Sequence, residues 1–408
     1  MKPRIRSWSL VAAIAAICGL LADSACAQTE LTGNQAAVEI AGRTNLTRFK
    51  DDLRTLSNMG TRTYYGDGPS ASNDSGVAYV KREMEKAGYV ATIYGVYRSI
   101  YCTKIGAIRP DSMYLVSGHI DGVGGSGGAC DDNGSGTSLT LEAMRAFAGP
   151  AIKTRYSIRF AIWNMHEGGW KGSDEYLKAR RSLQGKESPA GSGLYPEPVW
   201  RALINTDMIL YDHGMPAGPV QIAGADIDVH YSDYAYPQQS LALANQLVDI
   251  GKVVPVNYPA QTTPNLNGSD AVVFVSANAC PCVDLRENDR NTEIDKGASP
   301  THHDESDVYA TYSDADFALG YSAVRRVVGV LSVLTKATVT TSGTSAQPAA
   351  REGDARAARD APAIHVYDAS GRLIPASLTV NPANSSPEVH CTPGEKRAAV
   401  KVADEKRW

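Results

Sequence analysis

The run SMYLVSGHIDGVGGSGGACDDNGSGTSLTLEAMRAFA, residues 112–148, decides the fold. Ser112 to Gly118 carry no charge and are mostly apolar or small, as expected of a strand buried on both faces. His119-Ile120-Asp121 follow at once, then a glycine-rich loop, then Asp131-Asp132-Asn133-Gly134-Ser135-Gly136. From Thr137 to Ala148 the apolar residues recur at helical spacing. A buried strand, a polar loop and a helix in that order make half of a strand-helix-strand unit, in which the helix carries the chain back so that successive strands lie parallel.

The same alternation continues outward. Leu46 to Gly88 reads as helical at both ends around a loop, with Val77 to Ala87 at helical spacing and Gly88 as a stop. Tyr156 to Trp163 reads as a second strand, a helix begins near Ser173, and Ala202 to Ile204 reads as a third strand. An irregular stretch rich in Gly, Pro and Tyr runs on to about Tyr236. Helix returns at Gln239 to Gly251, strands are expected at Val272 to Val275 and Val283 to Leu285, and a long helix at Asp314 to Leu334. The expectation is an α/β fold with a mixed, mostly parallel sheet between helices, forming one catalytic domain over residues 36–338. Residues 339–363 turn to Thr, Ser, Ala, Gly, Pro and scattered charge, a composition that cannot bury enough surface to fold, and read as a linker. Residues 364–408 form a short tail with strand-like runs at His365-Val366-Tyr367 and Ser377-Leu378-Thr379-Val380.

The first 27 residues read as a secretory signal peptide: Lys2, Arg4 and Arg6, an apolar run from Trp8 to Leu21, and Ala25-Cys26-Ala27 as a small-x-small cleavage site. The run falls short of the roughly 20 residues that a membrane span needs, so no stable span is expected and the protein is expected to be secreted or periplasmic. Cleavage after Ala27 removes three positive charges and one negative, taking the net charge from −4 to −6. With no clustered basic stripe, the chain is not suited to nucleic acid. Of the seven cysteines, Cys18 and Cys26 leave with the leader. Cys102, Cys130, Cys280, Cys282 and Cys391 remain, an odd set compatible with one or two disulfides in an oxidising compartment. Nothing in the sequence sets the oligomeric state.

In an open parallel sheet, ligands bind beyond the carboxyl ends of the strands. The polar residues there are His119 and Asp121 after the first strand, Asp132 in the following turn, His166-Glu167 after the second strand, Asn205-Thr206-Asp207 after the third, and His302-His303 before the last helix. Two imidazoles and three carboxylates can converge, a mixture that suits zinc better than calcium or magnesium. His-x-Asp adds a reason, because a ligating imidazole usually gives its second N–H to a carboxylate, and Asp121 lies two residues along an extended chain.

The order of these motifs resembles the M28 family of secreted two-zinc aminopeptidases, a scaffold to which the glutaminyl cyclases are also similar. The resemblance covers roughly Leu46 to Leu334. It rests on His119-x-Asp121, Asp132-Asn133-Gly134-Ser135-Gly136, His166-Glu167-Gly168-Gly169-Trp170-Lys171-Gly172-Ser173, Asn205 to Met208, and His303 with Asp307 four residues on. It implies a zinc-exopeptidase-like fold with two divalent metal ions, with Zn2+ as the expected ion. His119 and Asp207 would serve one metal and Glu167 and His303 the other, with Asp132 as the bridge; His302 competes for the last place. The implied activity is hydrolysis of the N-terminal residue of peptides or proteins through a metal-bound water.

At position 166 this sequence departs from the family pattern, which has a proton-transferring Glu before the ligand Glu167. His166 is a competent base near neutral pH and would take that role beside Asp121. The alternatives are a catalytically impaired metal- or peptide-binding protein, His166 as an extra ligand or a packing residue, and, on the same scaffold, a glutaminyl cyclase. Ser269-Asp270-Ala271 is a second departure, where many relatives have Ser-Asp-His. Tyr231, Tyr234 and Tyr236 lie in the irregular region and Trp170 closely follows Glu167; each has two readings, wall of a side-chain pocket or ordinary surface and core packing.

Overall fold

A computed structural model of the chain describes residues 28–65, 68–125, 127–211, 226–287 and 299–342, and five short strands between 366 and 400. Residues 1–27, with the expected signal peptide, lie outside the described residues. The chain divides into two compact units, Met1–Gly343 and Thr344–Trp408.

Taken in chain order, the first unit contains β1 (Gln28–Leu31), α1 (Gly33–Gly42), α2 (Leu46–Ser57), the hairpin β2 (Tyr64–Tyr65) and β3 (Gly68–Pro69), and α3 (Ala71–Lys86). Next come β4 (Thr92–Tyr94), β5 (Ser99–Lys104), β6 (Arg109–His119), α4 (Gly136–Ala146), β7 (Ile152–Lys153), β8 (Tyr156–Trp163), α5 (Lys171–Arg180) and β9 (Val199–Thr206). The unit closes with β10 (Ile227–Tyr231), α6 (Pro237–Asp249), β11 (Ala260–Thr263), α7 (Ala271–Ser276), β12 (Cys282–Arg286), α8 (Asp314–Leu334) and β13 (Thr338–Ser342). Local chemistry sets several of these starts. Asn45 and Ser70 cap α2 and α3 by accepting the N–H of Arg48 and Asn73, and Ser313 with Asp316 forms a capping box at α8.

The central sheet has eight strands in the order β11-β10-β12-β9-β6-β8-β5-β4. β12, β9, β6 and β8 are mutually parallel and occupy its middle, while β5 pairs antiparallel with β8 and β10 antiparallel with β12. This is the expected mixed, mostly parallel sheet. One face is covered by a large core that includes Phe49 of α2, Val77 of α3, Leu139 of α4, Leu247 of α6 and Val327 of α8. The other face carries a smaller core in which Tyr176 of α5 and Phe274 of α7 meet Trp163 and Trp200. α8 is long and apolar enough to cross a membrane by length and composition, but 72% of that stretch is buried inside the protein.

Four expectations change. Val272 to Val275 is helical, not a strand: Ala271, Phe274 and Val275 are buried while Val272 and Val273 are partly exposed, a helical rhythm too short to separate from a strand by sequence. The stretch read as irregular contains β10, which pairs with both β11 and β12. β1 and most of β13 fall outside the expected span 36–338, yet they pair antiparallel with one another, and β13 also pairs with β7. Thr29 and Glu30 of β1 are exposed, while in β13 Val339 is buried between partly buried threonines. Finally, Cys102, Cys130, Cys280 and Cys282 are all buried free thiols, so no disulfide forms among the described residues. Cys391 lies outside them. In the second unit, strands at Val366–Tyr367 and Ser377–Val380 coincide with the two strand-like runs of the tail.

Candidate metal centre

The four middle strands β12, β9, β6 and β8 run in one direction, so their carboxyl ends open on one edge of the sheet. His119 is the last residue of β6, Glu167 comes shortly after β8, and Asp207 follows β9 directly. Asp132 sits in the turn before α4, and His303 in the segment before α8. Backbone of unusual conformation surrounds them: Ala129, Met165, Trp170, Met208 and His303 all have positive φ without being glycine. Such residues persist only where the surroundings hold them, and they concentrate at functional sites.

Asp132 lies between the two halves of the cluster. Its Oδ1 is 3.4 Å from His119 Nε2, and its Oδ2 is 3.2 Å from His303 Nε2. His119 Nε2 is also 3.4 Å from Asp207 Oδ1, and His303 Nε2 is 3.3 Å from Glu167 Oε2. His302, the competing candidate, reaches Asp132 Oδ2 at 3.4 Å. The structure therefore brings all five expected ligands together, with His302 at the margin. Side-chain atoms of His119, Asp132 and Glu167 lie within 4.8 Å of one another, as do those of Asp132, His302 and His303, and those of His119, His166 and Asp207.

Two observations test whether these residues suit a metal. His119 Nε2, Asp207 Oδ1 and Glu167 Oε1 are buried and make no hydrogen bond, a state that costs about 1–3 kcal/mol per group when nothing else satisfies it. The donors are imidazole nitrogens and carboxylate oxygens, the set that zinc prefers. The residues fit the group. Electrostatics agree: burial alone would lower the His119 pKa, but the carboxylates of Asp121, Asp132 and Asp207 hold it well above its usual value. Hydrogen bonds to Asp132 and Glu167 push His303 up to about 10. Burial favours protonated Asp132, yet His119 and His303 overcome this and keep its pKa well below the ordinary range. The cluster is built to hold positive charge.

A supporting shell fixes this geometry. Asp121 does not act as expected: His119 Nδ1 donates to the backbone carbonyl of Asp121 at 3.0 Å, while the nearest Asp121 carboxylate oxygen is 3.7 Å away. The carboxylate instead accepts the backbone N–H of His166 at 3.1 Å and of Glu167 at 3.0 Å, which ties β8's exit to β6's exit. Asp307 accepts the N–H groups of Asp131 and Asp132, and Asp131 accepts those of Ile209 and Leu210. Arg62, fully buried, donates to the carbonyls of Leu56, Ile120, Gly128 and Ala129 and so pins the glycine-rich loop. Arg286, also buried, holds Asp207 and Asp284. Sequence reasoning missed Arg62 and Arg286. For Arg286 the signal available was a charged pair, Asp284 and Arg286, inside the short strand Cys282–Arg286.

His166 stacks flat on His119, with ring centroids 3.7 Å apart and planes 7° from parallel. Its Nδ1 donates to Asp270 Oδ2 at 2.8 Å. Burial and the neighbouring His119 charge lower the His166 pKa, and the Asp270 carboxylate reverses this to a net rise. A cleft of about 220 Å³ opens over the cluster, lined by Asp132, His166, Glu167, Trp170, His302 and His303 among others. Of the four aromatic residues placed to wall a pocket, Trp170 lines this cleft and the three tyrosines do not.

A family model described as Peptidase family M28 matches residues 103–327. Leupeptin-inactivating enzyme 1 of Streptomyces exfoliatus is 30% identical over 173 residues, which cover 40% of this chain and 38% of that protein. Carboxypeptidase Q of Mus musculus is 29% identical over 83 residues, 20% of this chain and 17% of that one. The chain thus spans well under half the length of these curated relatives. Among solved structures, the LapA aminopeptidase of Legionella pneumophila is similar with a TM-score of 0.58 at 16% identity, covering 78% of this chain and 79% of that one. The zinc aminopeptidase BSAP of Bacillus subtilis is similar with a TM-score of 0.52 at 14% identity, covering 72% and 96%. At these identities the likeness is one of fold.

Proposed function

This chain belongs to peptidase family M28, and from that premise we propose that it is a metal-dependent aminopeptidase that releases the N-terminal residue of peptides. The observation that carries the reading is Asp132, with one oxygen toward His119 and the other toward His303, at the floor of a cleft large enough for one side chain. His119, Asp132 and Asp207 would hold one divalent cation, and Asp132, Glu167 and His303 a second, zinc suiting both donor sets. Cations bound there would supply Lewis acidity, lowering the pKa of water and stabilising an oxyanion.

The chain's own residues do the rest. The carboxylates around the cleft favour a peptide's protonated α-amine over a blocked terminus. His166, with Nδ1 committed to Asp270, retains Nε2 to take a proton from the attacking water and return it to the departing amine nitrogen. Trp170, edge-on to His166 at 6.4 Å, offers an apolar surface to the substrate's first side chain. Export to the periplasm or medium is part of the proposal, supported by the basic, apolar and small-residue segments of residues 1–27.

One observation favours a second role for His166: it shares a 4.8 Å cluster with His119 and Asp207 and could serve as a ligand. Its Nδ1 hydrogen bond to a carboxylate suits a ligand as well as a base.

The test is hydrolysis of amino-acid anilides and short peptides by the zinc-loaded chain beside Glu167→Ala, His166→Glu and His166→Ala. Release of the N-terminal residue, abolished in Glu167→Ala, is expected. His166→Ala should lose turnover while keeping its zinc stoichiometry; loss of a zinc ion would favour the ligand role. An inert parent that gains activity as His166→Glu would overturn the aminopeptidase reading and point to a binding protein.

A further inference from the structure

Asp270 belongs to none of the metal-ligating groups, yet it is fully buried beside the cleft and uses each carboxylate oxygen on a different side chain. Oδ2 accepts His166 Nδ1 at 2.8 Å, and Oδ1 accepts the Ser173 hydroxyl at 2.5 Å. That hydroxyl also lies 2.9 Å from the Trp170 carbonyl, but it has one proton, and the carboxylate is both nearer and the stronger acceptor. The three residues come from separate parts of the chain: His166 from the exit of β8, Ser173 from the first turn of α5 and Asp270 from the residue before α7.

The imidazole is thereby held by three neighbours. His119 covers one face at 3.7 Å, Trp170 stands edge-on, and Asp270 accepts from one ring nitrogen. A neutral imidazole carries a single N–H, and which nitrogen bears it is set by the hydrogen bond it makes. With Nδ1–H given to a buried carboxylate, the lone pair is on Nε2. Were Asp270 absent, no other hydrogen bond among the described residues would select that tautomer, and molecules in the other form would present an N–H where a proton acceptor is needed.

We propose that Asp270 is a positioning residue that holds His166 in its Nδ1–H form with Nε2 presented to the cleft, and that Ser173 holds Asp270 in turn. The inference rests on the reading of His166 as the proton-transferring group. It ties one departure from the family pattern, His166, to Asp270, the residue of the Ser269-Asp270-Ala271 segment that keeps the pattern.

The experiment combines two readouts on the full chain. The ring nitrogens of His166 are observed by 15N NMR in the metal-free protein, assigned by their loss in His166→Gln, and kcat and KM are measured on the zinc-loaded protein. In the parent, His166 is expected as the Nδ1–H tautomer. Asp270→Ala should convert it to a mixture or to Nε2–H and lower kcat about 10- to 100-fold with KM changed no more than about twofold. Ser173→Ala should move both readouts the same way by less, which keeps the test decisive if Asp270→Ala does not fold. An Nε2–H signal in the parent overturns the proposal. So does an Asp270→Ala protein with parental kcat while His166→Gln is inactive, a result that leaves the proton-transfer reading standing. Full activity in His166→Gln would overturn both.

Discussion

Arg286 Nη2 donates to Asp207 Oδ2 at 2.7 Å, so that this carboxylate turns only its other oxygen toward His119. The same guanidinium donates from Nε to Asp284 Oδ2 at 2.7 Å and from Nη2 to the Gly268 carbonyl at 2.9 Å, all within the protein interior. One cation therefore serves two buried carboxylates. Burial raises the Asp207 pKa, but Arg286 and His119 more than offset it and keep the carboxylate ionised.

Replacing Arg286 with Met should thus leave uncompensated buried charge and lower the stability of the metal-free protein by about 3–5 kcal/mol. Urea unfolding monitored by tryptophan fluorescence measures this. Because the variant also removes a positive charge next to Asp207, added zinc should raise its melting temperature by more than it raises the parent's. An equal shift in both proteins would show that Arg286 does not influence metal binding.

The two neighbouring histidines should contribute unequally. His303 Nε2 faces both Asp132 Oδ2 at 3.2 Å and Glu167 Oε2 at 3.3 Å, whereas His302 Nε2 lies 3.4 Å from Asp132 Oδ2. His303→Ala is expected to reduce zinc affinity by at least about tenfold more than His302→Ala, as isothermal titration calorimetry would reveal, since removing a ligand costs more than removing a flanking group. Equal losses would assign the place to either residue.

The boundary of the folded unit can be tested by truncation. A chain ending after Gly343 keeps β13, which lies between β1 and β7 in its three-stranded sheet. One ending after Ala337 loses β13, leaving both neighbours unpaired. The longer truncation product should melt with the parent, and the shorter one should melt several degrees lower. A longer product that melts with the shorter one would show that residues beyond Gly343 support the first unit.

Lys104, at the end of β5, gives a pH signature remote from the metal centre. Partial burial, and next the charge of Arg43, lower its pKa to about 8 from an ordinary value near 10.5. Between those values the unfolded chain holds a proton that the folded chain has released, so this residue makes stability rise as pH increases from about 8 to about 10.5. Lys104→Met should flatten that rise and raise stability at pH 7 by about 1 kcal/mol, less than the full shift implies because the head group remains partly solvated. The measurement is the urea midpoint across pH; an unchanged slope would place the effect elsewhere.

The legible part of the site followed from chemistry carried by short segments. Ser112 to Gly118 could only be a buried strand, so His119 had to stand at its end, and the same logic placed Glu167 and Asp207 beyond β8 and β9. Short apolar runs were less informative. Val272 to Val275 reads as strand although it is helical, because four residues do not display a period, and turn-forming residues around β10 hide its pattern.

What the sequence determined by itself was the set of strand ends, the residue types offered there and the family those motifs resemble. Hydrophobic periodicity and motif spacing are local properties, and they survive without knowledge of which strands are neighbours. Tertiary structure alone decided the pairings: Asp270 with His166, Arg286 with Asp207 and Asp284, and the Asp121 carboxylate with the N–H groups of residues 166 and 167, leaving the His119 ring to the Asp121 carbonyl. Each joins residues brought together by sheet order or by the direction in which a side chain leaves the backbone. A buried carboxylate takes whichever donor lies within about 3 Å of it, and that distance is set only when the strands have been laid side by side.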